Sequence, residues 1–365
     1  MQRAHKIRLV PNKTQLSMLF KTAGTARYAY NQALRWNIEQ YEAFKQGTAE
    51  KPDIYSIARK WTAEKPDWAK ETCACAQTQA ILNLKKALNA FWNKKTEFPS
   101  FKKKGNKQSF YVQNSKGAVK GNKVRLPNIG WVKMREEPRH TGKIMAFSVS
   151  QTAGQWHVSI QTEIPDVPKT IQESTVGIDV GVSKIAVASD GTVCENPHKL
   201  KKQQQYLRRI QRKLARQVKS SNRRKKTKQR IAKTHLNISN ARHDVIHKFT
   251  STMAKNHGLA VIETLDIREM FEQGKTWMNR QLQDTAMREV HRQLDYKMGA
   301  VIRAPRYFPS SKRCSACGHV KPEFPCSIRI YKCEKCRAVF DRDLNAAFNL
   351  SKMPWVTGLK CVEPQ

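Results

Sequence analysis

The 365-residue chain is long enough for two or three domains, and its 39% apolar residues suffice for real cores. Its 68 Lys and Arg outnumber 29 Asp and Glu, giving a formal net charge of +39. A free globular protein would meet that charge as self-repulsion, so a densely anionic partner is expected, whether the chain is an enzyme or a nucleic-acid coat. No run of eighteen apolar residues occurs, and no apolar stretch follows Met1, so neither a membrane span nor a signal peptide is expected. Nine cysteines, an odd number, favour metal binding over a disulfide framework.

Residues 4–10 alternate apolar and polar and predict a strand. Helical periodicity follows from Gln15 to about Trp92, with Leu16, Leu19, Phe20 and Ala23 on one expected face. Residues 97–165 break into short β-rich pieces between Gly and Pro turns, and Pro165–Pro168 reads as a joint. Beyond it, 175–191 predicts two strands around a turn at 181–184. A basic helical stretch spans about 199–257, and the apolar run 259–262 suits a buried strand. Further helix is expected at 276–298 and 343–352, on either side of a Cys-rich insertion at 310–338. Strands alternating with helices imply an α/β layer fold.

Three carboxylates stand out. Asp179 lies inside an apolar strand, where a carboxylate is costly unless paired or metal-bound, and Glu263 closes a second such strand. Asp343 opens a helix whose apolar face is Ala346, Ala347 and Leu350. Singly, each has an ordinary reading as turn residue, ion-pair partner or N-cap. Together, on strand, strand and helix, they suit Mg²⁺ or Mn²⁺, and two ions roughly 3.5–4 Å apart would serve phosphodiester hydrolysis. Asp341 competes with Asp343, and the apolar face favours Asp343.

Cys314, Cys317, Cys333 and Cys336 form a C-x2-C-x15-C-x2-C pattern that suits a tetrahedral thiolate site for structural Zn²⁺. Cys326 lies between the pairs as a possible substitute ligand, and Cys73 and Cys75 are expected to face apart and pack.

From Asn196 to His243 no acid occurs, while Lys199–Arg242 holds seventeen Lys and Arg, among them Arg208, Arg209, Arg212, Arg216, Arg223 and Arg224. Leu207, Ile210, Leu214 and Val218 supply an apolar stripe beneath them. A solvated hairpin is the plain alternative, but charge this one-sided favours nucleic-acid contact. Lys102, Lys103 and Lys104, with Phe98, Phe101, Phe110 and Tyr111 nearby, suit phosphate contact with base stacking. His243 and His247, four residues apart, read more simply as a solvated face than as a second metal site.

This order of motifs resembles the TnpB family of transposon-encoded RNA-guided nucleases, related to type V CRISPR effectors, along nearly the whole chain. Lys6, Arg8, Pro11, Gln15, Gly24, Arg27, Tyr30, Asn31 and Leu34 carry its N-terminal signature. FPSFKKK at 98–104, GIDVGVSKIAVASDG, VIETLDI, YFPSSKRCSACG and DRDLNAAFNL carry the rest. The resemblance implies an α/β RuvC-like (RNase H-like) nuclease domain over 173–365 with a zinc ribbon insertion at 310–338. It also implies an N-terminal β-barrel-like wedge domain, 1–15 and 96–165, with a helical recognition insert at 16–95. Its catalytic acids fall on Asp179, Glu263 and Asp343. The expected activity is RNA-guided cutting of double-stranded target DNA beside a short adjacent motif. The guide would be a noncoding RNA from the transposon end, in a monomeric ribonucleoprotein of the prokaryotic cytoplasm, associated with the nucleoid. The alternatives are an RNA-guided repressor, which the three standing acids argue against, and a guide-independent transposase or resolvase. One departure is a shorter stretch around 298–306.

Overall fold

The computed structural model describes residues 2–105, 108–113, 117–165, 174–274, 276–325 and 327–353. They belong to two compact units, Met1–Val167 and Pro168–Gln365. Residues 166–168 of the expected joint lie outside the described residues, as do Cys326 and Cys361. No described helix is long and apolar enough to cross a membrane.

The first unit opens on β1 (Gln2–Val10), which buries His5, Ile7 and Leu9 on one face. Helix α1 (Lys13–Lys45) starts at a capping box. Asn12 Oδ1 accepts from the Gln15 N–H at 2.8 Å, and Gln15 Oε1 accepts from the Asn12 N–H at 3.1 Å. Helices α2 (Ile54–Glu64), α3 (Asp67–Lys70) and α4 (Ala74–Trp92) complete the helical part. The expected α1 face is only half right: Leu19 and Ala23 are buried, but Leu16 and Phe20 stay 37% and 44% exposed. The buried stripe runs instead through Ala26, Ala29, Ala33 and Leu34, and small side chains there let α4 pack close.

Strands β2 (Ser109–Gln113), β3 (Ala118–Lys120), β4 (Lys123–Leu126), β5 (Gly130–Met134), β6 (Lys143–Thr152) and β7 (Gln155–Glu163) join β1. The sheet order is β2-β6-β7-β1-β5-β4-β3, antiparallel throughout. Most of β1 pairs with β7, and only Leu9 and Val10 pair with β5. Among the described residues β2 and β3 are the edge strands of this sheet.

The second unit begins with β8 (Thr175–Val180), β9 (Lys184–Ala188) and β10 (Val193–Glu195). Then come α5 (Lys199–Ala215), α6 (Asn222–Asn256), β11 (Leu259–Ile262), α7 (Ile267–Gln273), α8 (Thr276–Thr285), α9 (Met287–Lys297) and β12 (Ala300–Arg303). The hairpin strands β13 (Ile330–Lys332) and β14 (Val339–Asp341) lead into α10 (Arg342–Ser351). The sheet order is β10-β9-β8-β11-β12. Strands β8, β11 and β12 are parallel, while β9 and β10 run antiparallel to their neighbours. The apolar runs of β8 and β11 are buried because helices cover them. Around the shortened stretch, α9 ends at Lys297 and β12 begins at Ala300.

Helix α10 packs on β8 over Gly177. A Cβ there would stand 2.0 Å from Ala347 O and 2.5 Å from Ser351 N, both backbone atoms that cannot step aside. Gly177→Ala is therefore expected to cost about 3 kcal/mol of stability, the upper end for overpacking, read as a lower denaturation midpoint. An unchanged midpoint would mean that α10 does not sit against β8 as described.

Candidate functional site

Backbone register brings the first two acids together. Ile178 of β8 pairs with Ile262 of β11 in parallel, so the next residues, Asp179 within β8 and Glu263 just past β11, lie at the same height. Helix α10, seated on β8, presents Asp343 from its first turn. Burial pushes the Asp179 carboxyl well above the ordinary range, and the negative charges of Glu263 and Asp343 push it further. Burial also raises Glu263, against the Ser310 hydroxyl that donates to its Oε1 and the nearby Arg342 charge. Asp179 thus feels both of the other acids, and Glu263 is raised further by Asp343. The oxygens of the three acids nevertheless do not all lie within 4.8 Å of one another; of the described residues, only the Cys quartet and His243, His247 and Glu289 cluster that closely. Bare carboxylates repel, so mutual approach needs a cation between them.

The two competing aspartates do different work. Asp341 is the N-cap of α10, with Oδ1 accepting from the N–H groups of Asp343 at 3.0 Å and Leu344 at 3.1 Å. Its other oxygen faces Lys184 Nζ at 3.3 Å. Asp343, 13% exposed, has an Arg329 guanidinium at 3.5 Å. A capping carboxylate is already committed to the backbone, whereas Asp343 makes no such cap.

Sequence reasoning did not find what ties the Cys-rich segment to this site. Asn345 and Asn349, four apart on the buried side of α10, both donate to Arg313 O, at 2.7 and 2.6 Å. Asn349 also donates to Ser310 O at 2.8 Å, and Asn345 Oδ1 accepts from the Ser315 N–H at 3.0 Å. Buried amides at i and i+4 were the available signal. Residues 310–315 therefore bridge Glu263 to the helix that carries Asp343.

The cysteines of the quartet converge: Sγ of Cys314 is 3.7 Å from Cys336, Sγ of Cys317 is 3.5 Å from Cys333, and all four lie within 4.8 Å. The Cys336 backbone N–H holds the Cys333 thiol down to about 6, so a thiolate is ready there. Four soft donors at this spacing fit zinc. Cys73 and Cys75 do not face apart as expected; their sulfurs lie 2.8 Å apart. Cys73 is the N-cap of α4 with non-helical φ and ψ, so helical angular spacing does not apply to the pair.

The basic stretch forms the antiparallel pair α5 and α6. Leu207, Ile210 and Ile238 seal it, and a groove along it is lined by Arg209, Arg212, Arg216, Arg223, Lys226 and Arg230. Arg208 is exposed. Arg224 turns inward instead, donating to Leu214 O and, at 2.9 Å, to Gln217 O, which caps the end of α5. In the first unit, Lys102 lies over the Tyr30 ring at 3.6 Å, and its backbone exchanges two hydrogen bonds with the Asn31 amide. Lys103 and Lys104 are exposed, as are Phe98 and Phe101. Phe110 is in the core and unavailable for stacking.

Residues 157–274 match a family described as "Probable transposase", 288–350 match "Cas12f1-like, TNB domain", and 1–46 match "Helix-turn-helix domain". In this chain 1–46 fold as β1 and the single long α1. The chain is 34% identical to "Putative RNA-guided DNA endonuclease InsQ" of Escherichia coli (strain K12), over 95% of this chain and 91% of that one. It is 29% identical to "Putative RNA-guided DNA endonuclease" of Streptomyces pristinaespiralis, over 96% and 88%. Among solved structures, a Cas12f1–sgRNA–target DNA complex aligns over 97% of this chain and 99% of that one, at 18% identity and TM-score 0.35. The mini RNA-guided endonuclease Cas_phi3 aligns over 96% and 92%, at 10% identity and TM-score 0.47. On the near full-length match to InsQ and the agreement of the family matches, the chain belongs to the TnpB family.

Proposed function

We propose that this chain is an RNA-guided DNA endonuclease that hydrolyses a target phosphodiester at Asp179, Glu263 and Asp343. The observation that carries the reading is the register that puts Asp179 and Glu263 level on adjacent parallel strands, with α10 delivering Asp343 beside them. The names of its relatives support the same activity.

The donor set fits divalent metal. Of the three carboxylates, Asp179 is raised by burial and by the charges of Glu263 and Asp343, and Glu263 by burial and the charge of Asp343, so they gain when a hard cation replaces protons. Bound Mg²⁺ or Mn²⁺, as a pair, would supply an activated water and stabilise the leaving oxygen. The protein's own part is positional. Gly177 lets α10 close on β8, Asp341 fixes the helix start, and Ser310 orients Glu263. Arg342 offsets negative charge at the acids.

In this reading the five-stranded sheet, with β9 antiparallel and β8, β11 and β12 parallel, is the RuvC-like (RNase H-like) core of 173–365. Residues 310–338 are its zinc ribbon. The seven-stranded sheet (1–15 and 96–165) is the wedge-like domain, and 16–95 is its recognition insert. The α5–α6 groove and Lys102–Lys104 contact the guide RNA or the target DNA. A noncoding guide from the transposon end reads the target beside a short motif.

Two experiments bear on this. Cleavage of a matching duplex only when RNA and Mg²⁺ are both present tests the activity. For the ribbon, Cys333→Ser is expected to lower bound zinc from about one per chain and to slow cleavage indirectly, because 310–315 loosens from Glu263 and α10. Elemental analysis of the purified wild type, finding no zinc while activity is full, would contradict it.

A further inference from the structure

We propose that His243, His247 and Glu289 form a second metal site, for a borderline transition-metal ion such as Zn²⁺ or Ni²⁺, that clips α6 to α9. The two histidines stand one turn apart on α6, with ring centroids 6.3 Å apart and planes at 30°. Glu289 reaches them from the first turn of α9, which packs on α6, and its Oε1 lies 3.5 Å from His243 Nδ1. One ligand atom from each residue falls within 4.8 Å of the others. Two imidazoles four residues apart on a helix are a ready chelate, and a carboxylate as third donor leaves an open position.

The carboxylate is already held in place. Arg292 donates to both oxygens of Glu289, at 2.8 and 2.6 Å, and Gln293 Nε2 donates to Oε1 at 2.8 Å. Hydrogen bonds of this kind orient a ligating carboxylate. Lys297 Nζ sits 3.0 Å from His247 Nδ1, but it has other acceptors in Thr250 Oγ1 at 2.7 Å, Ser251 Oγ at 2.9 Å and Gln293 Oε1 at 3.1 Å. It can therefore release the ring without losing its shell.

Charge decides which ion fits. Arg292 and Lys297 border the cluster and Glu289 is its one carboxylate ligand, so a hard cation such as Mg²⁺ gains little there. Imidazole nitrogen favours zinc, nickel or copper. The site is separate from the acids and from the Cys quartet. The clip has mechanical reach, because α6 runs into β11, whose last residue Ile262 precedes Glu263, and α9 runs into β12 beside it. Metal uptake there would stiffen the support under Glu263.

The test uses the full-length, untagged chain with its Cys quartet left loaded, titrated with Ni²⁺ by calorimetry and followed by thermal melting. Wild type is expected to take up one saturable equivalent and to melt higher with it. The double variant His243→Ala/His247→Ala should take up none and show no metal-dependent rise, and Glu289→Gln should bind more weakly. Both histidines are exposed, so the double variant should melt like wild type without added metal; the single His243→Gln variant, expected to bind more weakly, repeats the test if it does not. No saturable equivalent in wild type, or equal uptake by variants and wild type, would overturn the proposal.

Discussion

Asp179→Ala is expected to slow DNA cleavage by about a thousandfold or more while leaving target binding intact. Removing one carboxylate takes away a ligand and part of the charge that draws in metal, a loss of several kcal/mol of transition-state stabilisation. Glu263→Ala and Asp343→Ala should behave alike. Asp341→Ala is the discriminating control. It removes the N-cap of α10, which costs about 1 kcal/mol of stability, yet it keeps all three acids. It should melt earlier and still cut. Single-turnover cleavage in parallel with filter binding reads both quantities. Full activity in the Asp343 variant, with loss only in the Asp341 variant, would reverse the assignment of those two residues.

The second large effect concerns the groove along α5 and α6. Replacing Arg209, Arg212, Arg216 and Arg223 together by glutamine is expected to flatten the dependence of log binding constant on log salt by about 3 units. Each cation that neutralises a phosphate releases close to one counterion, so four lost contacts set that magnitude. At low salt the loss of affinity should be several orders of magnitude, with the zinc content unchanged. Arg224→Gln should do something else. Its guanidinium closes the end of α5, so its loss should lower stability and leave the salt slope near wild type. An unchanged slope in the quadruple variant would move the nucleic-acid path away from this groove.

What could be read in advance, and what could not, follows from the range of each interaction. Asp179 and Glu263 were visible because a carboxylate in an apolar strand is anomalous within a few residues of sequence. The Cys quartet was visible because chelation spacing is local. The buried face of α1 was misjudged, since large side chains at Leu16 and Phe20 suggested the core, while the helix–helix contact selected alanines. Arg224 looked like its cationic neighbours, and only the turn between α5 and α6 shows that it serves backbone carbonyls. Asn345 and Asn349 lie more than thirty residues from the carbonyls they hold, and Glu289 more than forty from the histidines it joins. Partners at such separations leave no trace in local pattern. In the sequence, Asp341 and Asp343 differ only by one apolar helix face, and the cap that occupies Asp341 depends on the backbone geometry of the start of α10.

Cutting by this chain is expected to depend on RNA. Protein freed of nucleic acid by nuclease treatment and high salt is combined with a matching duplex and Mg²⁺, with and without its guide RNA returned. Site-specific cleavage is expected only in the tube that holds guide, target and metal, and not with Asp179→Ala. Robust site-specific cutting by the RNA-free protein would rule out RNA guidance and place the chain with guide-independent nucleases.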